Sequence, residues 1–386
     1  MTVSTLRKTL RSAYFSIGMH EASQGTLLYK VHNILVLLFR QRNLISAQEN
    51  PHTEPLNQIA NGDCLRILSL CGIGDVLWSL VILPAVLKKY NKRRAWLIVH
   101  DPNNHRSFRS TKMLERFELV AGVEFHHWKI HKSPPVGRDG HLRYTHDAGP
   151  GSGVGIWDYN FIINSELEHG LDFVAICKKL SLDPSLIDYD VFRGYRWLPA
   201  DASFRESIGA VAGEYAVFYL GALVDNTAQG LNRQGLWSVI QWVELAKAVL
   251  HNWPGLKIVV VGATYDIEYF RQFARAYGPS FYKDILCAVG LCELPETIAI
   301  IREARFVIGF ASGIPISSVY LGVRTGIFWR PQHLSMSSDL DKFGFDSGFA
   351  TSWVPPEMLQ KKRYLDLWYT VDTPETIISR MLNADW

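Results

Sequence analysis

Several features that mark common protein classes are absent or scarce in this sequence. Its five cysteines are scattered and include no Cys-x-x-Cys pair, which argues against a disulfide framework and a zinc site and favours a reducing compartment. The N-terminus carries no visible signal peptide. The longest uncharged apolar run of the N-terminal segment, VHNILVLLF, has nine residues, far fewer than the roughly 20 that cross a bilayer. We therefore expect a cytoplasmic protein, with any membrane association limited to the surface.

An excess of charge of one sign is also missing, since 40 basic and 37 acidic residues leave a net charge of +3. That balance is too small to argue for nucleic-acid binding. The 386 residues, of which 48% are hydrophobic and 20% charged, suit a globular protein with two domains. The 12 Trp and 16 Tyr residues could line a sugar or nucleobase site, although a place in the core is the commoner use.

The first 62 residues differ from the rest and predict a helical extension followed by a linker. Within residues 26–42, apolar side chains recur at helical spacing and are flanked by Lys30, Arg40 and Arg42. This helix could lie on a membrane surface, and packing against the main body is the favoured alternative. The polar stretch SAQENPHTEPLNQIANGD then indicates a linker or an exposed loop.

From residue 63 onward, short apolar strands alternate with helices in two successive sets. In the first set we predict strands at LRILSL, RAWLIVH, VEFHHWKI and WDYNFIINS, and helices over 75–90, STKMLERFELVAG and EHGLDFVAICKKL. The second set runs from YAVFYLG to a last strand at RTGIFW, and TPETIISRMLNADW predicts a terminal helix that Thr373 caps. Such alternation is typical of parallel sheets covered by helices on both faces.

The fold class that follows is α/β, with two doubly wound Rossmann-like domains facing a cleft. We predict an N-terminal domain over 63–205, a C-terminal domain over 206–370 and a terminal helix over 371–386. Ligands in such folds bind at the carboxyl ends of the strands, so we expect the site in the cleft between the domains. Residues 131–155, rich in Gly, Pro, His and Arg, predict a long functional or mobile loop.

One acid, Asp75, stands directly after the glycine turn that joins the first strand to its helix. Gly72 and Gly74 would let a ligand approach the helix N-terminus, whose dipole favours anions. The turn CGIGDVLW has neither the third glycine of a dinucleotide fingerprint nor the GK[ST] of a phosphate loop. Asp75 is therefore either a helix cap or a catalytic base.

Two further turns, both in the second set, offer places for phosphate or nucleotide. Ser312 and Gly313 open a short helix after the strand RFVIGF, where hydroxyl and amide donors could bind a diphosphate. Gly262 ends the strand LKIVVVGA, and Thr264 could face a nucleotide. For each of these turns, an ordinary connection without a ligand is the alternative.

Together these segments resemble the GT-B glycosyltransferase family of the ADP-heptose:LPS heptosyltransferases. GIGDVLWSLVILPAV follows the family's G-[DE]-[VI]-L-x-[TS] turn, whose acid is the proposed base. RQGLWSVIQWVELAKAV keeps Trp237, Trp242, Leu245 and Ala246 of the K-x-W-P-x-x-x-W-x-x-L-A segment. Its lysine position is Gly235 here, so Arg233 is the basic residue that could contact phosphate instead, and VGLCELPETIAIIREARFVIG is similar to the G-x-x-x-L-x-E stretch. The family's D-[TS]-G-x-x-H is ASGIPI here, so Ala311 replaces the acid and Ile316 the histidine.

The resemblance implies an inverting, metal-independent glycosyltransferase that moves a sugar from a nucleotide-sugar donor to a hydroxyl acceptor, with Asp75 as general base. It implies no cofactor, and no Asp-x-Asp-like metal motif stands out in the sequence. The predicted donor-binding residues are Gly221, Arg233, Trp237, Gly262, Thr264, Gly290, Ser312 and Gly313. The predicted acceptor-binding residues are Gly74, Trp78, Asn164, Glu166, Arg138 and Arg143. The acceptor would be a glycan, a lipid-linked sugar or modified DNA, and no obligate protein partner is inferred.

Three alternative functions stay open on the sequence. The first is a phage-type glycosyltransferase that acts on modified DNA bases. The second is a non-catalytic relic that binds a nucleotide or a glycan, suggested by the replacements at residues 311 and 316. The third is a GT-B-type nucleotide-sugar epimerase, which would need no acceptor.

Overall fold

The computed structural model describes residues 64–69, 72–100, 112–126, 163, 166–167, 170–221, 237–263, 266–329, 348–368 and 371–386. Within these ranges, the side chains of residues 66, 68–69, 98–100, 124–126 and 268 are not described. The predicted helix over 26–42 and the predicted loop over 131–155 lie outside the described residues. Gly62–Trp386 form one compact unit.

The first sheet is parallel, with its three described strands in the order β1-β2-β3. Strand β1 (Cys64–Ser69) leads through the glycine turn into helix α1 (Ile73–Lys89), and strands β2 (Arg94–His100) and β3 (Val120–His126) follow. Helix α1 is mostly apolar and buried, as expected for a helix that packs on a sheet and on neighbouring helices. Its acid lies in the first turn and its two lysines in the last, which complements the helix dipole.

The predicted helix over residues 110–122 is wrong. In the described part of that range, residues 112–122, the structure is helical over 112–114 alone, and β3 begins before the predicted helix ends. Met113 and Phe117 are both buried, and their spacing of four residues is helix-like, which explains the prediction. A tertiary contact overrides this local helical preference, because the backbone of Phe117 forms an antiparallel bridge with that of Tyr195.

Between the two sheets, the described residues are mainly helices and 3-10 turns. Its elements are helix α2 (Phe173–Lys179), 3-10 turns at Pro184–Leu186 and Val191–Gly194, and helix α3 (Pro199–Ser207). The carboxylate of Asp172 caps α2 by accepting from the Ala175 N–H at 2.8 Å. The predicted strand over 157–165 is helical at Ile163, and its other residues lie outside the described ranges. Helix α3 spans the predicted boundary after residue 205, and the domain limits stay predictions.

The second sheet is parallel throughout, in the order β6-β5-β4-β7-β8-β9. Its strands are β4 (Tyr215–Tyr219), β5 (Lys257–Val261), β6 (Ile285–Cys287), β7 (Phe306–Phe310), β8 (Arg324–Trp329) and β9 (Tyr364–Trp368). The helices around them are α4 (Val239–Asn252), α5 (Ile267–Tyr277), α6 (Phe281–Asp284), α7 (Leu294–Arg302), α8 (Gly313–Tyr320), α9 (Phe349–Ser352), α10 (Pro356–Gln360) and α11 (Pro374–Asn383). This is the strand order of a Rossmann sheet, so the predicted fold class is confirmed.

Local sequence accounts for most of these elements. Helix α4 begins with a capping box, in which Ser238 Oγ accepts from the Gln241 N–H at 3.2 Å and the Gln241 side chain accepts from the Ser238 N–H at 2.8 Å. Thr373 caps α11 as predicted, accepting from the Thr376 N–H at 3.3 Å. Strand β8 covers the predicted residues RTGIFW. Among the described residues, no helix combines the length and the hydrophobicity needed to cross a bilayer.

The cysteines of the described residues are thiols, and two of them are deeply buried. Burial raises the pKa of Cys177 to about 11 and that of Cys287 to about 12. Because only the thiolate is nucleophilic, we expect both to resist iodoacetamide in the native protein at about pH 8 and to react once the protein is unfolded. The half-buried Cys64 and Cys292 should react before Cys177 and Cys287. Mass spectrometry of the digested protein checks this order, and early modification of Cys177 would contradict it.

Candidate active site

The carboxyl ends of β4 and β7 form the topological switch point of the second sheet. From β4 the chain winds outward through β5 to β6, and it then returns to β7 on the other side of β4. Close backbone packing marks this point, because a Cβ added at Gly309 would lie 2.7 Å from the Cβ of Tyr219 and 2.9 Å from its carbonyl oxygen. Gly221 follows β4 with a φ of 42° and also packs on the Tyr219 ring. Ligands of Rossmann sheets bind outside such a crevice.

Helix α1 of the first sheet begins directly against helix α8 of the second. A Cβ added at Gly313 would lie 2.5 Å from the Cβ of Ile73 and 3.2 Å from the backbone nitrogen of Gly74. A Cβ added at Gly74 would lie 2.6 Å from Cδ1 of Ile316. The space that a side chain would need at Gly313 is therefore filled by Ile73 and the Gly74 backbone, and at Gly74 it is filled by the Ile316 side chain. We call this contact between the two helix starts the glycine joint.

The predicted base, Asp75, occupies the first turn of α1 beside the glycine joint. Its carboxylate turns back over Gly72, three residues earlier, since a Cβ added at Gly72 would lie only 2.1 Å from Asp75 Oδ2. Gly72 is the N-cap residue and supplies no side-chain cap of its own. The carboxylate thus lies where the N-terminal dipole favours negative charge, and the residue retains partial exposure to solvent. This placement suits both a helix-stabilising role and proton acceptance from a ligand beside the joint.

The start of α8 offers a small set of donors to an anion. The side chain of Ser312, the N-cap residue, accepts from the Ile314 N–H at 3.4 Å. Pro315 has no N–H, which removes one of the donors that a helix N-terminus normally presents. The Gly313 N–H and the Ser312 hydroxyl are what this turn can direct at a phosphate, and both residues retain exposed surface. Ala311 extends the β7–β8 pairing by donating its N–H to the Phe328 carbonyl at 3.0 Å.

The turns after β5 and β6 lie side by side along the same edge of the sheet. The Gly290 N–H donates to the Gly262 carbonyl at 2.9 Å, and Gly290 adopts a φ of 69°. The buried carboxylate of Asp266 shapes the first turn by accepting from the Ala263 N–H at 2.7 Å. Gly262, Ala263 and Gly290 keep exposed surface. They extend the edge that begins at α8, across neighbouring strands spaced by about 4.8 Å.

Trp237 lies in an aromatic cluster beneath this edge. Its ring is fully buried, 4.4 Å from the Phe328 ring and 5.0 Å from the Trp242 ring by their centroids. The Trp237 carbonyl also accepts from the Tyr269 hydroxyl at 2.9 Å. The ring has no exposed face for a donor in this arrangement, so direct contact with a ligand stays a prediction. Arg233 and Thr264, also predicted to bind the donor, lie outside the described residues.

Trp78 and Glu166, two of the predicted acceptor-binding residues, are engaged in other contacts. Trp78 is buried on α1, and its ring packs on Phe349 and Trp353. The carboxylate of Glu166 accepts from Lys179 Nζ at 2.6 Å, with only 15% of its side chain exposed. An acceptor hydroxyl would have to compete with that lysine. Three further predicted acceptor-binding residues lie outside the described ranges: Asn164, Arg138 and Arg143.

Sequence reasoning missed the apolar residues that complete the glycine joint. Ile73 covers Gly313 and Ile316 covers Gly74, although neither position was predicted to take part. The glycines on both sides of Ile73 were a signal that another backbone approaches closely. The partner could not be read locally, because it lies far away in the chain. Within the described residues, no cluster of histidine, cysteine, aspartate or glutamate side chains could hold a metal ion.

Comparison with known proteins relates the chain to solved glycosyltransferase structures at low sequence identity. The E. coli ADP-heptose LPS heptosyltransferase II is 11% identical, with a TM-score of 0.51, covering 83% of this chain and 98% of that chain. A family 9 glycosyl transferase from Veillonella parvula is also 11% identical, with a TM-score of 0.52, covering 83% and 96%. No family model and no curated protein matches the chain. The chain therefore shares its overall fold with these two glycosyltransferases.

Proposed function

We propose that this protein is an inverting glycosyltransferase, which moves a sugar from a nucleotide-sugar donor to a hydroxyl acceptor without a metal ion. The observation that carries the proposal is the glycine joint, since it holds the lone acid of α1 beside the start of α8. The switch point of a Rossmann sheet lies next to this joint. The fold shared with two glycosyltransferases supports the same proposal.

In the proposed reaction, the donor diphosphate lies along the carboxyl edge of the second sheet, beside Gly262 and Gly290. The acceptor hydroxyl attacks the anomeric carbon from the face opposite the diphosphate. As the new C–O bond forms, the bond to the diphosphate breaks and its electron pair leaves on the phosphate oxygen. Asp75 accepts the hydroxyl proton as general base. The start of α8 and Arg233 would stabilise the charge that develops on the leaving group.

The glycine joint limits where that diphosphate can bind. The Cβ of Ile73 fills the space above the Gly313 Cα, so no phosphate fits between the two helix starts without separating them. The half-exposed surfaces of Ser312 and Gly313 beside the joint remain accessible. We therefore propose that the donor lies next to the joint and that Asp75 reaches the acceptor across it.

A thermal-shift panel of ADP-, UDP-, GDP- and CMP-linked sugars tests donor binding. We expect one nucleotide class to raise Tm by several degrees. A ligand at 100 times its Kd adds about 2.7 kcal/mol, and each kcal/mol shifts Tm by about 1–2 °C in a chain of this size. The matching free nucleoside diphosphates serve as controls for the contribution of the sugar. No shift with any compound would favour the non-catalytic relic.

Incubating the stabilising nucleotide sugar with the protein alone separates transfer from epimerisation. We expect the sugar to keep its configuration, with at most slow hydrolysis, because a glycosyltransferase needs an acceptor to turn over. Proton NMR of the anomeric and ring signals follows the sugar directly. A new sugar configuration formed without acceptor would assign the protein to the epimerase alternative.

A further inference from the structure

A short segment after β8 joins the second sheet to helix α1. In the chain, α9 and Trp353 lie between β8 and β9, yet the ring of Trp78 on α1 is 5.9 Å from Phe349 and 5.7 Å from Trp353 by their centroids. Ser352 Oγ also donates to the Leu167 carbonyl at 3.4 Å. We call Trp78, Phe349 and Trp353 the aromatic clamp. The clamp is buried and connects the two sheet systems away from the glycine joint.

Buried hydrogen bonds fix the segment to the second sheet. The Tyr320 hydroxyl donates to the Trp353 carbonyl at 2.8 Å, and the Tyr364 hydroxyl donates to the Ala350 carbonyl at 2.6 Å. Trp329 Nε1 in turn donates to the Tyr364 hydroxyl at 2.8 Å. Burial raises the pKa of both tyrosines far above the ordinary value, so the hydroxyls stay protonated donors. The segment should therefore move with β8, β9 and the end of α8.

The clamp and the glycine joint act on the same pair of helices. Trp78 follows Asp75 by three residues, about one turn of α1. Tyr320, which holds the Trp353 carbonyl, is the last residue of α8, the helix that begins at Gly313. The two helices thus meet at their starts and are linked again through the clamp. Two separate contacts restrict rotation of one helix against the other more than one contact can.

The clamp buries two hydrogen-bond donors. The indole N–H groups of Trp78 and Trp353 are both buried, and within the described part of the chain neither has an acceptor. Burying a donor without an acceptor costs free energy, whereas an apolar ring would avoid that cost. Trp237 and Trp242 also bury indole N–H groups without an acceptor among the described residues, so the clamp is distinguished by the two helices that it links and not by this cost.

We propose that Phe349 and Trp353 are positioning residues, which act through Trp78 to orient the first turn of α1, and with it Asp75, against the start of α8. This inference rests on the proposed function, because it assigns the clamp to the same reaction. In the proposed reaction, neither Phe349 nor Trp353 touches a reacting atom. Loosening the clamp should therefore impair the chemical step more than donor binding.

The test compares Phe349→Leu with a matched control, Phe273→Leu. Phe273 is also fully buried in an aromatic cluster, but it packs on Tyr277 and Phe281 in the second-sheet half. For Phe349→Leu we expect kcat to fall by about 10- to 100-fold with donor KM changed less than about twofold, because small misplacements of reacting groups are costly. Phe349→Tyr, which keeps the ring, should restore kcat. The same kcat loss in both leucine variants would overturn the proposal.

Hydrogen exchange tests the clamp without relying on activity. In Phe349→Leu we expect faster amide exchange over residues 73–80, and in Phe273→Leu no change there. If Phe349→Leu does not fold, Trp353→Phe replaces it in both measurements. Unchanged exchange over 73–80 in the clamp variant would refute the positioning role. A wild-type protein that transfers no sugar would instead refute the proposed function, while the exchange result would still decide whether the clamp orients α1.

Discussion

Replacing Asp75 with asparagine should lower kcat for sugar transfer by about 10²- to 10⁴-fold, while the donor Kd changes by less than about twofold. Asparagine keeps the shape of the side chain and can still hydrogen-bond at the helix start, so the change removes mainly the capacity to accept a proton. The carboxylate lies in the first turn of α1, turned back toward Gly72 beside the glycine joint, and the proposed reaction assigns it the acceptor proton. Steady-state transfer kinetics and calorimetric donor titration measure the two effects separately.

A matched control separates catalysis from helix stabilisation. Glu375 also lies in the first turn of a helix, α11. Hydrogen bonds from its own backbone N–H and from Thr373 lower the pKa of the Glu375 carboxyl. Glu375→Gln should therefore weaken a helix start without changing transfer. If Asp75→Asn and Glu375→Gln both lowered Tm and both left kcat unchanged, Asp75 would be a helix-stabilising acid and not a base.

Replacing Gly313 with alanine should disrupt the glycine joint, because the new methyl group meets atoms that cannot rotate away. Its neighbours would be the Cβ of Ile73 at 2.5 Å and the Gly74 backbone nitrogen at 3.2 Å. Overpacking of this kind typically costs about 1–3 kcal/mol. We expect the free energy of unfolding to fall by that amount and donor affinity to fall about tenfold or more, since the start of α8 shifts. Denaturant titration and calorimetry measure both.

Gly74→Ala provides the matched control, with the same added methyl group in the same joint. Its nearest neighbour would be Cδ1 of Ile316 at 2.6 Å, the tip of a flexible side chain, and the next atoms lie at 3.7 Å or beyond. Ala also favours a helix over Gly by about 1 kcal/mol. We therefore expect near-wild-type stability. Ile73→Gly should recover part of the loss in Gly313→Ala, and equal stability of the two alanine variants would rule out the joint as described.

The elements that sequence reasoning predicted are those whose residues decide their own conformation. The run RTGIFW is β8, and Ser238 and Thr373 cap their helices as their sequences require. The error at 110–122 arose where a helical spacing of apolar residues met a stronger distant interaction, the bridge between Phe117 and Tyr195. Strand β9 was missed because it is an edge strand, half-exposed and with an acid, Asp366, in its centre.

The candidate site was predictable in its parts and not in its assembly. The glycines of CGIGD and ASG announced close approach to something, and the structure identifies each as the partner of the other. The covering role of Ile316 could not be predicted, since it depends on where a distant helix starts. For the same reason nothing local to GFATSWVPP indicated that its aromatic rings pack on α1.

The contact of two glycines has a consequence for how this molecule can open. At each side of the joint an isoleucine lies against a glycine that has no side chain to interlock with it, so the two helix starts can turn against each other more easily than interlocking side chains would allow. Displacement during a rotation grows with distance from the axis. Asp75 lies next to it, whereas the turns at Gly262 and Gly290 lie two and three strands away from β7. Because the aromatic clamp is a second fixed contact, the opening that remains is a rotation about the line through the joint and the clamp, which would admit a bulky nucleotide at the far turns while the Asp75 carboxylate moved little.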